Sequence, residues 1–308
     1  MTFKAMMSDE ALQFVENAPP LQYEPLEGAD IDKYRADVRA GFAPASESAT
    51  ERHKVVTRQV EIAGVPCMEV TPAHDQSSFT VLYHYGGGYV TGSPFEDLPI
   101  TAALCDHLKA RLVVTHYRLA PEHPFPAALD DALAVYQSIS QSCAAGTWAI
   151  AGESAGGNLT LSVLQRAQAD GLPMPVAAAL MSPWCDLCNQ GDSITSNADR
   201  DPTLHPEHLF EAARAYAGER ELSDAGISPL YGTFGEKFPP VIITTGTRDI
   251  LMSHCVRLSR VLREAGRPVD LRVWDGLWHV FEFYDELPEA AASLREIADF
   301  LDGHLAGP

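Results

Sequence analysis

Between an apolar run at residues 148–151 and a helix-like stretch at 159–169 the chain carries Gly152-Glu153-Ser154-Ala155-Gly156-Gly157. A serine with glycine two residues away on each side, set where a buried strand gives way to a helix, restricts the local backbone severely. The turn is so tight that side chains at Gly152 and Gly156 would meet neighbouring backbone, and the strain lifts the Ser154 hydroxyl clear of the sheet edge as an exposed nucleophile. Taken alone, the same residues also read as a Ser/Gly-rich loop. The surrounding chain has to decide between the two.

That chain alternates. After a β-hairpin at residues 55–62 and 67–70, short apolar runs at 79–83, 112–115, 148–151, 176–181, 241–245 and 269–274 read as buried strands. Helix-length segments at 99–109, 127–140, 159–169 and 253–265 lie between most of them, and a last helix is expected over 288–305. Strand and helix repeated in this way predict a mainly parallel, eight-stranded sheet with helices on both faces. Two stretches break the rhythm. Residues 1–50 show short helical patterns interrupted by Pro19, Pro20, Pro25, Gly28 and Pro44, with Phe14, Val15, Tyr23, Tyr34 and Phe42 scattered among them. Residues 185–225 are rich in Asn, Asp, Pro and Gly around one amphipathic helix at 206–217. A loop that long inside a compact fold has a use, so the expected organisation is a catalytic core in two parts, 51–184 and 226–308, under a helical cap made from 1–50 and 185–225.

Composition narrows the chemistry. A net charge of −20 argues against nucleic acid and anionic lipid as partners, because phosphate-binding surfaces need clustered Lys and Arg. No apolar run approaches the ~20 residues that span a bilayer, and Met1–Glu10 meets acids before any apolar segment, so the expected location is cytoplasmic with no membrane insertion. The six cysteines are too sparse for a disulfide scaffold and are expected to be reduced and mostly buried. Cys185-x-x-Cys188 lacks a second pair at zinc spacing, so no metal site is expected.

A serine hydroxyl attacks at neutral pH only if an imidazole takes its proton and a carboxylate orients that imidazole. Asp249 follows the strand at 241–245 and His279 follows the strand at 269–274, so both lie on loops at the same sheet edge as Ser154, in the chain order serine, acid, histidine. Singly, Asp249 is also a plausible helix cap and His279 a loop histidine beside Trp278 and Phe281. Asp275 and Glu282 are the competing acids, both in the histidine's own loop. The third requirement is a place for the negative charge that develops on a carbonyl oxygen. His84-Tyr85-Gly86-Gly87-Gly88-Tyr89 leaves the strand at 79–83, and its backbone N–H groups make Gly87 and Gly88, with Ala155, the candidate oxyanion donors. Tyr85, Tyr89 and Glu153 are the candidate substrate-binding residues.

Tyr85-Gly86-Gly87-Gly88-Tyr89, the segment Tyr117-Arg118-Leu119-Ala120-Pro121-Glu122-His123-Pro124-Phe125-Pro126, Gly-Glu-Ser-Ala-Gly-Gly-Asn at 152–158, the Asp249 segment and Gly276-Leu277-Trp278-His279-Val280-Phe281 together resemble the hormone-sensitive-lipase family of bacterial carboxylesterases. The resemblance runs from about residue 55 to the end and implies an α/β-hydrolase core with a helical cap, no cofactor, and hydrolysis of short- to medium-chain carboxylic esters or lactones. It carries the triad Ser154, Asp249 and His279 and the same three oxyanion donors. Two positions depart from the family pattern: Tyr85 stands where that family usually has histidine, and His254 replaces a second acid after Asp249. An amide or formamide hydrolase on the same triad, and a non-catalytic small-ligand-binding protein on the same fold, are the alternatives. A homodimer is among the expected states.

Overall fold

The computed structural model describes residues 7–19, 21, 25–26, 28–74 and 76–305. Its eight strands are β1 (Val55–Ile62), β2 (Val65–Pro72), β3 (Thr80–His84), β4 (Arg111–Thr115), β5 (Trp148–Glu153), β6 (Ala178–Met181), β7 (Val241–Gly246) and β8 (Val269–Trp274). They form one sheet in the order β1-β2-β4-β3-β5-β6-β7-β8. β1 and β2 make the expected antiparallel hairpin, β2 runs antiparallel to β4, and every remaining neighbour is parallel. Along β3, β5, β6 and β7 every residue is buried, because helices cover both faces, and this is why those strands read as unbroken apolar runs rather than alternating ones. Each buried Val, Leu or Ile side chain there contributes about 1.5–3 kcal/mol by leaving water.

The helices that follow these strands fall close to their expected ranges: α3 (Leu98–Leu108), α4 (Ala127–Ser142), α5 (Ser154–Ala169), α8 (Met252–Glu264) and α9 (Pro288–Asp302). α3 packs on α9, and α4 packs on α5. The helix after β5 begins at Ser154 itself, five residues before its apolar pattern starts, since Gly156 and Gly157 carry no hydrophobic signal but take helical backbone where it must approach other chain closely.

The N-terminal stretch forms α1 (Asp9–Asn17), capped by the Ser8 hydroxyl, and α2 (Ile31–Arg52), capped by Asp30. Pro44 does not interrupt α2 as its sequence suggested. Proline in a helix interior costs about 3 kcal/mol, but α2 is anchored on both sides of it. Upstream, Arg35 donates to the carbonyls of Val90 and Ala120 and pairs with Glu122; downstream, Arg52 pairs with Asp285 and Glu286. Pro20 and Tyr23, and the first six residues, lie outside the described residues. The irregular stretch after β6 contains α6 (Asp192–Ser196) and α7 (Pro206–Ala217), the latter starting at a proline and ending at Gly218. Among the described residues no helix is long and apolar enough to cross a membrane. All six cysteines are free, with Cys67, Cys105, Cys185 and Cys255 buried.

Candidate active site

Strand register sets the site. His84 at the end of β3 lies beside Gly152 in β5, so the glycine loop and the serine turn leave the sheet as neighbours. At the other side, Gly246 pairs with Trp274, which brings the loops after β7 and β8 together. They are tied by hydrogen bonds from Arg248 N–H to the Leu277 carbonyl and from Gly276 N–H to the Thr247 hydroxyl, each 2.8 Å.

Ser154 occupies left-handed backbone at φ +49°, the strained turn expected of a serine held out from a sheet edge. The flanking glycines are required by contact: a Cβ on Gly152 would meet the Gly156 carbonyl, and one on Gly156 would meet the carbonyls of His84 and Tyr85. The Ser154 hydroxyl lies 3.0 Å from His279 Nε2, and His279 Nδ1 lies 3.1 Å from Asp249 Oδ1. Asp249 is fully buried and receives further hydrogen bonds from the Thr245 hydroxyl and the Leu251 N–H, both 2.8 Å. Burial alone would raise its pKa, but the adjacent imidazole, with the Leu251 N–H and the Ser182 hydroxyl, holds it below the ordinary carboxylate range. His279 shows the reciprocal balance. Burial would depress the imidazole, yet Asp249, with Asp201 and Glu282 behind it, raises its pKa above the usual 6.5. The competing acid Glu282 instead accepts from the Thr244 and Ser293 hydroxyls at 2.6 and 2.8 Å, and Asp275 faces the Thr247 hydroxyl.

Gly86, Gly87 and Gly88 curve over Ser154 and line a cavity of about 280 Å³ with it and His279. Gly87 needs to be glycine, since its φ is +87° and a Cβ there would strike the Thr91 carbonyl. Ala155 sits in the first turn of α5, where main-chain N–H groups have no intrahelical acceptor. Much of the cavity wall comes from two distant stretches of sequence, Leu26, Tyr34, Val38 and Phe42 from the N-terminal segment and Leu204, His208, Leu209 and Ala212 from the stretch after β6, with Val280, Phe283 and Tyr284 beside His279 completing it. Its floor holds Glu153 and Asp97, both buried. Burial, reinforced by Asp97, raises Glu153 well above the usual range; burial pushes Asp97 up to about 8, with the Tyr83 hydroxyl pulling the other way.

Two substrate-binding expectations need correction. Tyr85 and Tyr89 are fully buried and do not reach the cavity. Tyr85 stacks on Tyr117 at 4.3 Å, giving its hydroxyl to the Tyr117 carbonyl at 3.3 Å, while the Tyr117 hydroxyl donates to the carbonyls of Tyr85 at 2.7 Å and Gly86 at 3.2 Å. Tyr89 stacks on Tyr216 of α7 at 3.6 Å and donates to Asn158 at 2.7 Å. Side chains leaving a strand alternate in direction, and once the chain turns at Gly86 that alternation no longer tells which way Tyr89 points. His84 cannot serve in place of a loop histidine either: it is buried against the Thr160 hydroxyl at 3.0 Å, and burial lowers its pKa to about 3. Sequence reasoning missed Tyr117, Asn158 and Asp201. Asn158, four residues after Ser154, was visible in the motif; Asp201, in an aperiodic stretch, carried no such signal.

Residues 81–283 match the protein family described as alpha/beta hydrolase fold. A solved structure described as a hormone-sensitive lipase from a metagenome library superposes with a TM-score of 0.87 at 32% identity, over 97% of this chain and 98% of that one. The chain belongs to the hormone-sensitive-lipase family of α/β-hydrolases. Among curated proteins it is similar to an acetyl-hydrolase of Streptomyces hygroscopicus, at 35% identity over 75% of this chain and 78% of that protein. It is also similar to the putative acetyl-hydrolase LipR of Mycobacterium tuberculosis, at 32% identity over 80% of each chain. The α/β-hydrolase core that the resemblance implied, with the mainly parallel sheet expected from strand and helix alternation, is thus the family's fold.

Proposed function

We propose that this α/β-hydrolase is a serine carboxylesterase acting on short- to medium-chain esters, with Ser154 as nucleophile, His279 as general base and Asp249 as its orienting acid. The observation that carries the reading is the unbroken contact from Ser154 through His279 to the buried Asp249. His279 Nε2 takes the hydroxyl proton as Ser154 attacks the ester carbonyl, and the N–H groups of Gly87, Gly88 and Ala155 receive the oxyanion. The same imidazole then gives its proton to the leaving alcohol. Water repeats the sequence on the acyl-enzyme and releases the acid. Asp249 keeps Nδ1 protonated, so that Nε2 faces the serine with its lone pair.

The cavity supports the substrate class. About 280 Å³ lies near the lower end of small-molecule sites, room for a short or medium acyl chain, and its walls are mostly apolar. Neither Lys nor Arg is among its described lining residues, which favours a neutral ester over an anionic one. Both wall segments support a cap formed from 1–50 and 185–225 over a core of 51–184 and 226–308. The intact triad contact favours an enzyme over a ligand-binding module on this fold. Free cysteines accord with the cytoplasm, and β8, which ends the sheet with one neighbour, offers an edge for a homodimer; light scattering that gives a monomer mass would remove the dimer.

The deciding experiment combines a panel of p-nitrophenyl esters with a fluorophosphonate label. Turnover of C2 to C8 esters with the label mapped to Ser154 is expected; no ester turnover, or a label elsewhere, refutes the assignment. Matched p-nitroanilides test the amidase alternative, and are expected to react far more slowly.

A further inference from the structure

The stretch between β6 and α7 does more than wall the cavity. Asp201 is 4% exposed, and its carboxylate is surrounded by donors. Oδ2 accepts main-chain N–H groups from Ile250 and from His279, both at 3.2 Å. Oδ1 accepts the Thr203 N–H at 3.0 Å, the Thr203 hydroxyl at 2.9 Å and the Leu204 N–H at 3.2 Å. The same Thr203 hydroxyl lies 3.3 Å from the His279 carbonyl. Four residues earlier, Asn197 accepts the Asp201 N–H and donates its amide to the carbonyls of Thr247 and Asp249 at 3.1 and 2.9 Å. Ser193 donates its hydroxyl to the Ile250 carbonyl at 2.7 Å. One short segment thereby grips the main chain of both loops that supply the base and the acid.

Asp249 orients the imidazole ring from within the triad, but nothing in that contact fixes the peptide that carries the ring. We infer that Asp201 is a positioning residue of the active site, whose carboxylate locks the His279 main chain to the loop after Asp249 and presents the imidazole with a second negative neighbour. The inference rests on the triad proposed above. Main-chain N–H donors offset the cost of burying a carboxylate and favour its ionised form. Burial and the nearby Asp249 push Asp201 up to about 6, while the His279 imidazole and the Thr203 donors pull it down. Among the described residues, the other titratable groups around His279 include Asp249 on the loop after β7, Glu282 in the turn after the histidine, His254 on α8, His208 on α7, and Glu96, Asp97, Glu153 and Tyr284 lining the same cavity. His254 is buried with its pKa lowered to about 4, so it does not bring a competing charge near neutrality.

The test is Asp201→Asn, which keeps the shape and removes the charge. Because the base must be neutral, loss of a negative neighbour moves the acid limb of kcat/KM to lower pH. Kcat at its optimum should fall by about tenfold or more while KM for a short p-nitrophenyl ester stays within about twofold. A limb that does not move overturns the inference. Titration of the His279 imidazole by NMR, in Ser154→Ala and in Ser154→Ala/Asp201→Asn, reads the same quantity without turnover, and equal midpoints again overturn it. Failure of the fluorophosphonate to label wild-type Ser154 would instead count against the parent assignment, leaving the NMR comparison intact. Should Asp201→Asn not fold, Thr203→Val keeps the carboxylate and removes the hydroxyl between it and the His279 carbonyl. That variant should lose at least about threefold in kcat with KM unchanged; unchanged kcat overturns the proposal.

Discussion

On the β7–β8 side of Ser154, the site is held by charge: a buried carboxylate against an imidazole, a second carboxylate behind their main chain, and hydroxyls and N–H groups closing each oxygen. On the β3 side it is held by shape. Glycine backbone fills space that no Cβ can enter, and stacked tyrosines brace it from behind. The difference teaches where each half is vulnerable. Protons should disturb the first, and added volume should disturb the second.

The largest expected effect removes the atom on which both halves converge. Ser154→Ala should fold normally and lose about 10³-fold or more in kcat, because only oxyanion and binding contributions survive. Most of the esterase activity persisting in that variant would displace the nucleophile and dissolve the comparison. Next comes Gly87→Val, expected to cost about 10²-fold in kcat by driving a side chain into the Thr91 carbonyl from a backbone that disfavours it. If the charge-held half is distinct, that loss should be the same at every pH, so a loss that varies with pH would blur the two halves.

The pH dependence itself is the third test. The raised imidazole pKa places the acid limb of kcat/KM above 6.5, and activity falls as pH drops through it because the protonated base cannot accept from Ser154. One unit below the midpoint the loss is about tenfold. A profile flat to pH 4 would remove His279 from the role of base. The smallest expected effects lie in the tyrosine brace. Tyr117→Phe leaves two buried carbonyls without their donor and should cost about 1–3 kcal/mol in unfolding free energy, with a modest fall in kcat. Tyr85→Phe gives up only a 3.3 Å bond and should change kcat by less than about tenfold. Equal damage from both would mean that the Tyr85 hydroxyl matters more than the stack.

The shape-held half was the harder one to read from sequence. The glycines announced themselves, because few other reasons put three together after a strand, and the serine turn was visible from its flanks. What braces the loop was not: the direction of Tyr85 and Tyr89 depends on how the chain leaves β3, and Tyr117 opens a proline-broken segment with no strand or helix period to show which way its ring points. The middle of the sheet was legible because burial on both faces turns β3, β5, β6 and β7 into apolar runs, whereas β8, expected to be buried, is only half-buried and its Asp270 and Arg272 break the run. Asp201 was illegible for the opposite reason, since an aspartate among Asn, Arg and Pro reads as solvated loop until the fold buries it. In α2 local propensity was overridden, with arginine anchors on either side of Pro44 outweighing its penalty.

The first helix touches the catalytic apparatus at its root. Phe14 lies flat against Trp278, the residue before His279, at 4.3 Å, and Ser8 is hydrogen-bonded to Glu289 at the start of α9. For anyone who immobilises this enzyme or joins it to another protein, that contact is a handling instruction: a bulky fusion or a surface linkage pulling on α1 tugs at the imidazole's own loop, and preparations differing only in their N-terminal tag should not be assumed to be the same catalyst.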